Sequence, residues 1–319
     1  MKHYSILLVL TSILLTACQS KPIGWRQLQL FTNPTASAGG AVAYNTNFGS
    51  AVYLPGNLGE TWIWKNGSWS QSYPANQPPP RSKFTMAYDA ADNKTVVFGG
   101  AYGQTLYDDT WAWDGYNWTR IANSHTPPAR CCSAMAYDQT LRKILLYGGW
   151  DSRTNTFLND LWLWDGKDWT EISCCNLPLM SGHKMVTYPP EILSTFTSGL
   201  GTQIWDVSGW HKLEIASPPD RPDSALAYDT NQDLVVLFGG NRNGSLLNDT
   251  WVYDGENWFE LRFSTAPSSR EAHSMFYDEK RESIILFGGV GANGLLGDTW
   301  ELNLSGDLSG FTVTPTVQP

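Results

Sequence analysis

The chain has 319 residues, a formal net charge of -9 and 16% charged residues, against roughly 25% in typical globular domains. It contains 16 tryptophans, 14 tyrosines and 12 phenylalanines, together with 29 glycines and 18 prolines. So much aromatic surface must be buried in a soluble protein, which excludes disorder, and the glycine and proline content excludes a helical bundle. The negative charge excludes a nucleic-acid partner, because binding a phosphate backbone requires clustered positive charge. The composition therefore indicates a large, tryptophan-rich β protein.

The N-terminus has the features of an export signal. Lys2 precedes the apolar run 5–15, which is too short to span a bilayer because a membrane helix needs about 20 residues. A short basic region, an apolar core and small residues are typical of a secretory signal. The signal ends in Leu15-Thr16-Ala17-Cys18, which resembles a bacterial lipobox. The resemblance implies a lipid on Cys18 and, since Gln19 follows, an outer-membrane lipoprotein of the cell envelope; the alternative is an ordinary soluble secretory peptide.

One unit of the sequence is repeated six times. Each copy has an anchor residue followed twelve positions later by a glycine, then an aromatic pair such as Trp111-Ala112-Trp113 and, in five copies, a further tryptophan. The anchors are Tyr44, Tyr88, Tyr137, Thr187, Tyr228 and Tyr277. Each copy is interpreted as four short strands, with hairpin turns such as Asp114-Gly115 between the third and fourth. Four-stranded units of about 50 residues are typical of β-propellers, and the paired Gly, Tyr and Trp at these offsets resemble kelch repeats.

The last copy ends at Asn303 without its fourth strand, and the segment 24–30 carries the matching sequence at the other end of the chain. We therefore predict an all-β, six-bladed propeller over 24–304 whose ring is closed by the N-terminal strand, which leaves no open edge. The alternative is closure by Phe311–Val317, which lacks the tryptophan. The remaining segments are predicted to be a signal peptide, a tether and a C-terminal tail, at residues 1–17, 18–23 and 305–319 respectively.

An arginine recurs five residues before the apolar anchor of the first strand in four blades. These are Arg81, Arg130, Arg221 and Arg270, whereas blades one and four have Ser37 and Met180. Because first strands line a propeller's channel, we expect four guanidinium groups around one mouth, where they could hold carboxylate or phosphate. Kelch adaptor proteins of ubiquitin ligases grip acidic peptides with arginines at similar positions. The alternative is that each arginine bonds backbone of the neighbouring blade or an aspartate.

Loops of varying length lie on the same face and are further candidates for ligand contact. The repeat accounts for 15 of the 16 tryptophans as packing residues and leaves out Trp150, which opens the longest loop together with Arg153. Its indole is either a stacking platform for a sugar ring or peptide side chain, or a cover for blade three. Tyr102 and Arg242 lie in corresponding loops. The repeated acids (Asp109, Asp160, Asp249 and Asp298) are interpreted as caps of loop backbone.

Two histidines, His183 and His273, share one repeat position near the predicted channel mouth. The central domain of galactose oxidase is also a kelch-type propeller, and that resemblance raises the possibility of copper. The copper set of that family, two His and two Tyr with one Tyr cross-linked to a Cys, is not found in this sequence. We therefore predict a structural role for both histidines, with no metal and no cofactor.

Four cysteines remain when Cys18 is set aside, and they form two doublets. Cys131 and Cys132 open the first strand of blade three, and Cys174 and Cys175 lie on the link that leaves it. Disulfides are the default in an exported protein, so we predict cross-links between the doublets. Two vicinal disulfides and binding of a soft metal are the alternatives.

These features predict a monomeric, envelope-anchored binding or scaffold module whose partner is an anionic glycan or an acidic protein segment. The competing prediction is enzymatic, because some periplasmic kelch propellers interconvert sialic acid anomers and an arginine ring suits a sugar carboxylate. That activity needs an acid–base group at the mouth, for which His183, His273 or Glu271 are the candidates. The fold by itself does not decide between the two.

Overall fold

The computed structural model describes residues 21–173, 178–196, 200–206 and 208–313, and these contain strands and turns but no helix. Six antiparallel sheets, each of four or five strands, form the six blades of a β-propeller. The predicted fold class is confirmed. The signal peptide, Cys18, Cys174 and Cys175 lie outside the described residues. Within the described part of the chain, no helix is long and apolar enough to cross a membrane.

The first half of the chain supplies the closing strand and blades one to three. Their strands are β1 (Gly24–Leu28), β2 (Ala41–Asn45), β3 (Ser50–Leu54), β4 (Thr61–Lys65), β5 (Ser68–Ser72), β6 (Thr85–Asp89), β7 (Lys94–Phe98), β8 (Ala101–Tyr102), β9 (Thr105–Leu106), β10 (Thr110–Trp113), β11 (Trp118–Ile121), β12 (Ala134–Asp138), β13 (Lys143–Asp151), β14 (Thr156–Trp164) and β15 (Trp169–Glu171). Blade one is β2–β5, blade two is β6, β7, β10 and β11, and blade three is β12–β15.

The second half supplies blades four to six. Its strands are β16 (Lys184–Tyr188), β17 (Glu191–Phe196), β18 (Gly201–Asp206), β19 (Gly209–Lys212), β20 (Ala225–Asp229), β21 (Leu234–Phe238), β22 (Asn241–Arg242), β23 (Ser245–Leu246), β24 (Thr250–Tyr253), β25 (Trp258–Leu261), β26 (Ser274–Asp278), β27 (Ser283–Phe287), β28 (Val290–Gly291), β29 (Gly294–Leu295), β30 (Thr299–Asn303) and β31 (Thr312–Val313). Blade four is β16–β19, blade five is β20, β21, β24 and β25, and blade six is β26, β27 and β30 with β1.

The N-terminal strand closes the ring. β1 pairs antiparallel with β30, with Trp25 opposite Leu302, so the first and last strands of the propeller share one sheet. The alternative closing segment does not close the ring. Its strand β31 pairs with β25 at the outer edge of blade five. Lys21, expected in the tether, already lies against blade six, where its ammonium is 3.2 Å from a Glu301 carboxylate oxygen.

The fourth-strand tryptophans join each blade to the one before it. At five of the six interfaces the indole N–H donates to a threonine hydroxyl on the third strand of the preceding blade, at 2.8 to 3.2 Å. The pairs are Trp25–Thr250, Trp69–Thr299, Trp118–Thr61, Trp169–Thr110 and Trp258–Thr202. Aromatic rings and aliphatic side chains of neighbouring blades pack around these bonds. The tryptophan excess therefore serves blade packing, as the repeat predicts.

Candidate functional site

Six residues, one from each blade, encircle the channel axis on the face that carries the links between blades. We call this the loop face and the six residues the floor ring: Gly39, Lys83, Cys132, Gly182, Asp223 and Ala272. Each backbone N–H donates to the carbonyl of the equivalent residue in the preceding blade, at 2.7 to 3.4 Å, and the last bond closes the circle. All six have φ between 55° and 73°, a left-handed conformation that is costly for residues other than glycine. The closed circle of hydrogen bonds holds them there.

Four blades carry a short β-ribbon on the loop face, between their second and third strands. The ribbons are β8–β9 in blade two, the paired ends of β13 and β14 in blade three, β22–β23 in blade five and β28–β29 in blade six. The base of each ribbon is hydrogen-bonded to the residue directly before the floor ring, as in Trp150 with Cys131 or Val290 with Glu271. The ribbons therefore rise beside the floor ring.

Among the described residues, blades one and four carry no ribbon on the loop face. In blade one the residues between β3 and β4 form only a turn. In blade four β17 ends at Phe196 and β18 begins at Gly201, and the described part of this connection contains no ribbon strand. These blades lie opposite each other in a six-bladed ring, and their floor-ring residues are glycines, Gly39 and Gly182. A trench therefore crosses the loop face from blade one to blade four, between two pairs of ribbons.

The floor ring and the ribbons that border the trench carry exposed cationic and aromatic residues. Lys83 in the floor ring and Arg242 on the blade-five ribbon are exposed, and neither forms an ion pair with another described residue. Tyr102 and Phe157, on the ribbons of blades two and three, are half exposed. Arg153 pairs with Asp151 of its own ribbon at 2.8 Å. Cations beside aromatic faces suit ligands with acidic groups and ring or apolar surfaces.

Trp150 lies in the wall of the trench and is partly buried. Its backbone is hydrogen-bonded to Cys131 in both directions, and its cross-strand neighbour is Phe157. The longest loop is therefore a regular ribbon, and its more exposed aromatic ring belongs to Phe157, which sequence reasoning missed. The sequence carried no signal for it, because the pairing of Trp150 with Phe157 could be recognised only once the loop was known to be two strands.

The four repeated arginines are buried and bonded to aspartates of their own blades. Arg130 donates to both carboxylate oxygens of Asp160 at 2.6 Å and to the Gly148 carbonyl at 3.0 Å. Arg81 and Arg270 bond in the same way to Asp109 and Asp298, and Arg221 donates to one carboxylate oxygen of Asp249 at 2.6 Å. The guanidinium groups do not face a ligand, so the expectation of an arginine-lined mouth is corrected. The alternative, a bond to an aspartate, is the arrangement in the structure.

The same aspartates also accept the indole N–H of a third-strand tryptophan, as Trp162 donates to Asp160 at 2.7 Å. Burial alone would raise the pKa of Asp160, but the Arg130 guanidinium outweighs it and the pKa is lowered. These aspartates are therefore ion-pair partners rather than the backbone caps that the sequence suggested. The missed signal is that the repeated arginine and the repeated aspartate occur in the same four blades. Blade four lacks both and has Met180 and Gly201 at the equivalent positions.

Both histidines pack at interfaces between neighbouring blades. His183 packs edge-on against Tyr147, with ring centroids 5.2 Å apart, and His273 packs in the same way against Phe238 at 5.5 Å. Both are buried, and burial lowers the pKa of His183 to about 3. Neither reaches the trench, and the described residues contain no cluster of His, Cys, Asp or Glu that could hold a metal ion. All three acid–base candidates are next to floor-ring residues in the chain, but His183 and His273 are buried, whereas Glu271 is partly exposed.

Cys131 and Cys132 are free thiols in the structure, with their sulfur atoms 3.2 Å apart. Cys131 is buried and Cys132 is partly exposed in the floor ring. Cys174 and Cys175 lie outside the described residues. Cross-links between the two doublets therefore stay a prediction.

A cavity of about 360 Å³ opens at the opposite end of the channel, where the tight turns of the blades lie. The tyrosine anchors of the repeat line it, together with Thr187. Several of their hydroxyls are already bonded, as in Tyr228 to Asp233 at 2.7 Å and Tyr88 to Asn93 at 2.8 Å. Sequence reasoning used these tyrosines to count repeats and did not assign them to a cavity. Because those hydroxyls are occupied, the trench is the better candidate for a ligand.

Comparisons with known proteins support the fold. No family profile matches the sequence, and no curated protein matches it. Among solved structures, that of YjhT is similar over 89% of this chain and 99% of its own, with a TM-score of 0.71 and 14% sequence identity. At this identity the similarity shows the propeller fold alone.

Proposed function

We propose that this protein is a binding module that holds an extended anionic chain, either an anionic glycan or an acidic protein segment, in the trench. The observation that carries the proposal is the trench itself, which runs between the ribbons of blades two and three and those of blades five and six, with no ribbon on blade one or among the described residues of blade four. Glycines lie on its axis, and ribbons flank it on both sides. A trench of this shape fits a polymer that runs across the face better than it fits a small, enclosed molecule.

The side chains around the trench set the class of ligand. Lys83 and Arg242 offer positive charge without an ion-pair partner among the described residues. Tyr102 and Phe157 offer ring faces for stacking. Asp223 and Glu271 also lie at the floor ring and limit the net positive charge. A chain with spaced acidic groups and apolar or ring surface between them fits this mixture better than a uniformly charged polyanion.

The proposal is tested by replacing the two unpaired cations. We expect the Lys83→Ala, Arg242→Ala double variant to bind oligomers of glutamate or of galacturonic acid at least tenfold more weakly, a loss of about 1.4 kcal/mol, in isothermal titration calorimetry. The matched control is Lys65→Ala with Lys167→Ala, two exposed lysines at third-to-fourth-strand turns of blades one and three. Equal affinity of the two double variants would contradict the proposal.

Ligand length provides a second test of the same site. Affinity should rise with the number of acidic units until the chain spans the trench and then level off, because further units make no new contact. Tyr102→Ala and Phe157→Ala should each weaken binding, whereas Tyr116→Ala, which removes an exposed ring in the third-to-fourth-strand turn of blade two, should not. Binding that does not depend on length would indicate a ligand held at one point.

We also propose that the propeller is of the kelch type and is exported as a lipoprotein. The support is the spacing of Gly, Tyr and Trp in the six copies and the lipobox-like segment that ends at Cys18. Mass spectrometry of the mature protein from bacterial membranes should show an N-terminal Cys18 that carries acyl chains. An unmodified Cys18, or a chain that begins elsewhere, would contradict the lipid anchor and leave the trench proposal intact.

A further inference from the structure

Two adjacent cysteines lie at the floor of the trench with their sulfur atoms in contact. The two Sγ atoms are 3.2 Å apart, so they would have to approach by only about 1 Å to form a disulfide of about 2.05 Å. The backbone of Cys131 is bonded to Trp150 in both directions, and the Cys132 N–H donates to the Lys83 carbonyl at 2.8 Å. Cys131 is buried and Cys132 is partly exposed. A reagent in the trench can therefore reach Cys132, while Cys131 lies behind it.

The surroundings of Cys132 favour its thiolate form. The hydrogen bond with Cys131 is the largest cause that lowers the pKa of Cys132, and the Lys83 and Lys184 ammonium groups act in the same direction against burial and Asp223. Lys83 is the neighbour of Cys132 in the floor ring, and Lys184 begins β16 of the next blade. The thiolate is the nucleophile in thiol chemistry, so the exposed member of the pair is also the activated one.

We infer that Cys131 and Cys132 pair with each other rather than with Cys174 and Cys175, and that they form a redox-active dithiol that exchanges with low-molecular-weight disulfides. The Cys132 thiolate attacks one sulfur of the disulfide, whose S–S bond breaks, and one thiol leaves with a proton from solvent. The other half stays on Cys132 as a mixed disulfide. Cys131 then loses its proton to solvent and attacks the Cys132 sulfur, which forms the Cys131–Cys132 bond and releases the second thiol. Two protein thiols are oxidised, and one disulfide is reduced to two thiols.

Peptide mapping of the whole mature protein tests this inference. The protein is reduced, freed of reductant, incubated with oxidised glutathione at neutral pH and digested with trypsin. Cleavage after Arg130 and Arg142 yields one peptide, 131–142, that contains Cys131 and Cys132 but neither of the other cysteines. We expect this peptide to be lighter by two hydrogen atoms. The Cys131→Ser variant should instead retain a glutathione adduct on Cys132, because the resolving thiol is missing.

A rate measurement tests the activation of Cys132 without removing a cysteine. Iodoacetamide should alkylate Cys132 before Cys131 in the reduced protein. Lys83→Gln should slow this reaction on the order of fivefold at neutral pH, because the nearby positive charge that favours the thiolate is gone. Lys65→Gln, on the opposite face, serves as the control and should leave the rate unchanged.

Two results would overturn the inference. One is a peptide 131–142 that is cross-linked to the peptide with Cys174 and Cys175, which would show that the doublets pair with each other. The other is a peptide that still carries both thiols after incubation with the disulfide. The Cys174→Ser, Cys175→Ser double variant should behave like the wild-type protein in the mapping. Both measurements are made without a trench ligand, so their outcome does not depend on the binding proposal.

Discussion

Replacing Arg130 with alanine should destabilise the propeller strongly, because the side chain is fully buried and bonded throughout. It donates two hydrogen bonds to Asp160 at 2.6 Å, one to the Gly148 carbonyl at 3.0 Å and one to the Pro128 carbonyl at 2.9 Å. In the variant, the Asp160 carboxylate keeps the Trp162 indole N–H but loses its counter-ion, and two carbonyls lose a donor. Removing one partner of a buried ion pair costs about 3–5 kcal/mol, and we expect a loss of this size.

Urea unfolding followed by tryptophan fluorescence measures this loss. The matched control is Arg153→Ala, because Arg153 also pairs with an aspartate, Asp151 at 2.8 Å, but its side chain is 55% exposed. An exposed pair contributes about 0–1 kcal/mol, so this variant should unfold close to the wild type. The free energy of unfolding of Arg130→Lys should lie between those of the two alanine variants, since lysine keeps the charge but loses the bidentate geometry. If Arg130→Ala and Arg153→Ala had equal stabilities, the assignment of the arginines as internal clamps would be wrong.

Three further predictions concern pH, the blade interfaces and ring closure. His183 has a pKa of about 3 in the folded protein and about 6.5 when unfolded. The unfolded state therefore binds more protons than the folded state below pH 6.5, and about 2 kcal/mol of stability should be lost by pH 5. Urea midpoints measured at both pH values should show a smaller loss for His183→Gln than for the wild type. Thr110→Val removes the acceptor of the Trp169 indole and should cost about 1–3 kcal/mol in thermal or urea unfolding, whereas the exposed Thr119→Val should not. Deleting residues 21–30 removes the closing strand and should make blade six the first site of limited proteolysis; an unchanged cleavage pattern would contradict its closing role.

The fold could be predicted because its signals are local. Short apolar runs such as Lys94–Phe98 mark strands, three Asp-Gly pairs mark hairpins, and the spacing from the anchor residue to the glycine recurs in six copies. Even the ring closure followed from the sequence, because Gly24–Leu28 carries the tryptophan that the sixth blade lacks, and this strand pairs with β30. The pattern of buried and exposed residues in a strand involves positions only a few residues apart, so it can be read from the sequence alone.

The site was less accessible to sequence reasoning because its properties depend on residues far apart in the chain. Arg130 was expected to face a ligand, and its partner Asp160 lies 30 residues away on the third strand of the same blade. The sequence position of an arginine is the same whether its guanidinium faces the channel mouth or pairs with an aspartate inside the blade. Only the distance to the carboxylate in the structure distinguishes the two arrangements. The recurrence of both residues in four blades was the available clue.

Sequence alone thus determined the blade, the number of blades and the strand that closes the ring, because each depends on a pattern that repeats along the chain. The tertiary structure decided which groups are accessible. It buried the arginines, put Phe157 on the surface and brought Cys131 and Cys132 to the floor of the trench. The floor ring shows the reason most clearly, since five different residue types occupy its six positions and backbone hydrogen bonds join them. Backbone groups are the same in every residue, so a site built from them leaves no mark in the sequence.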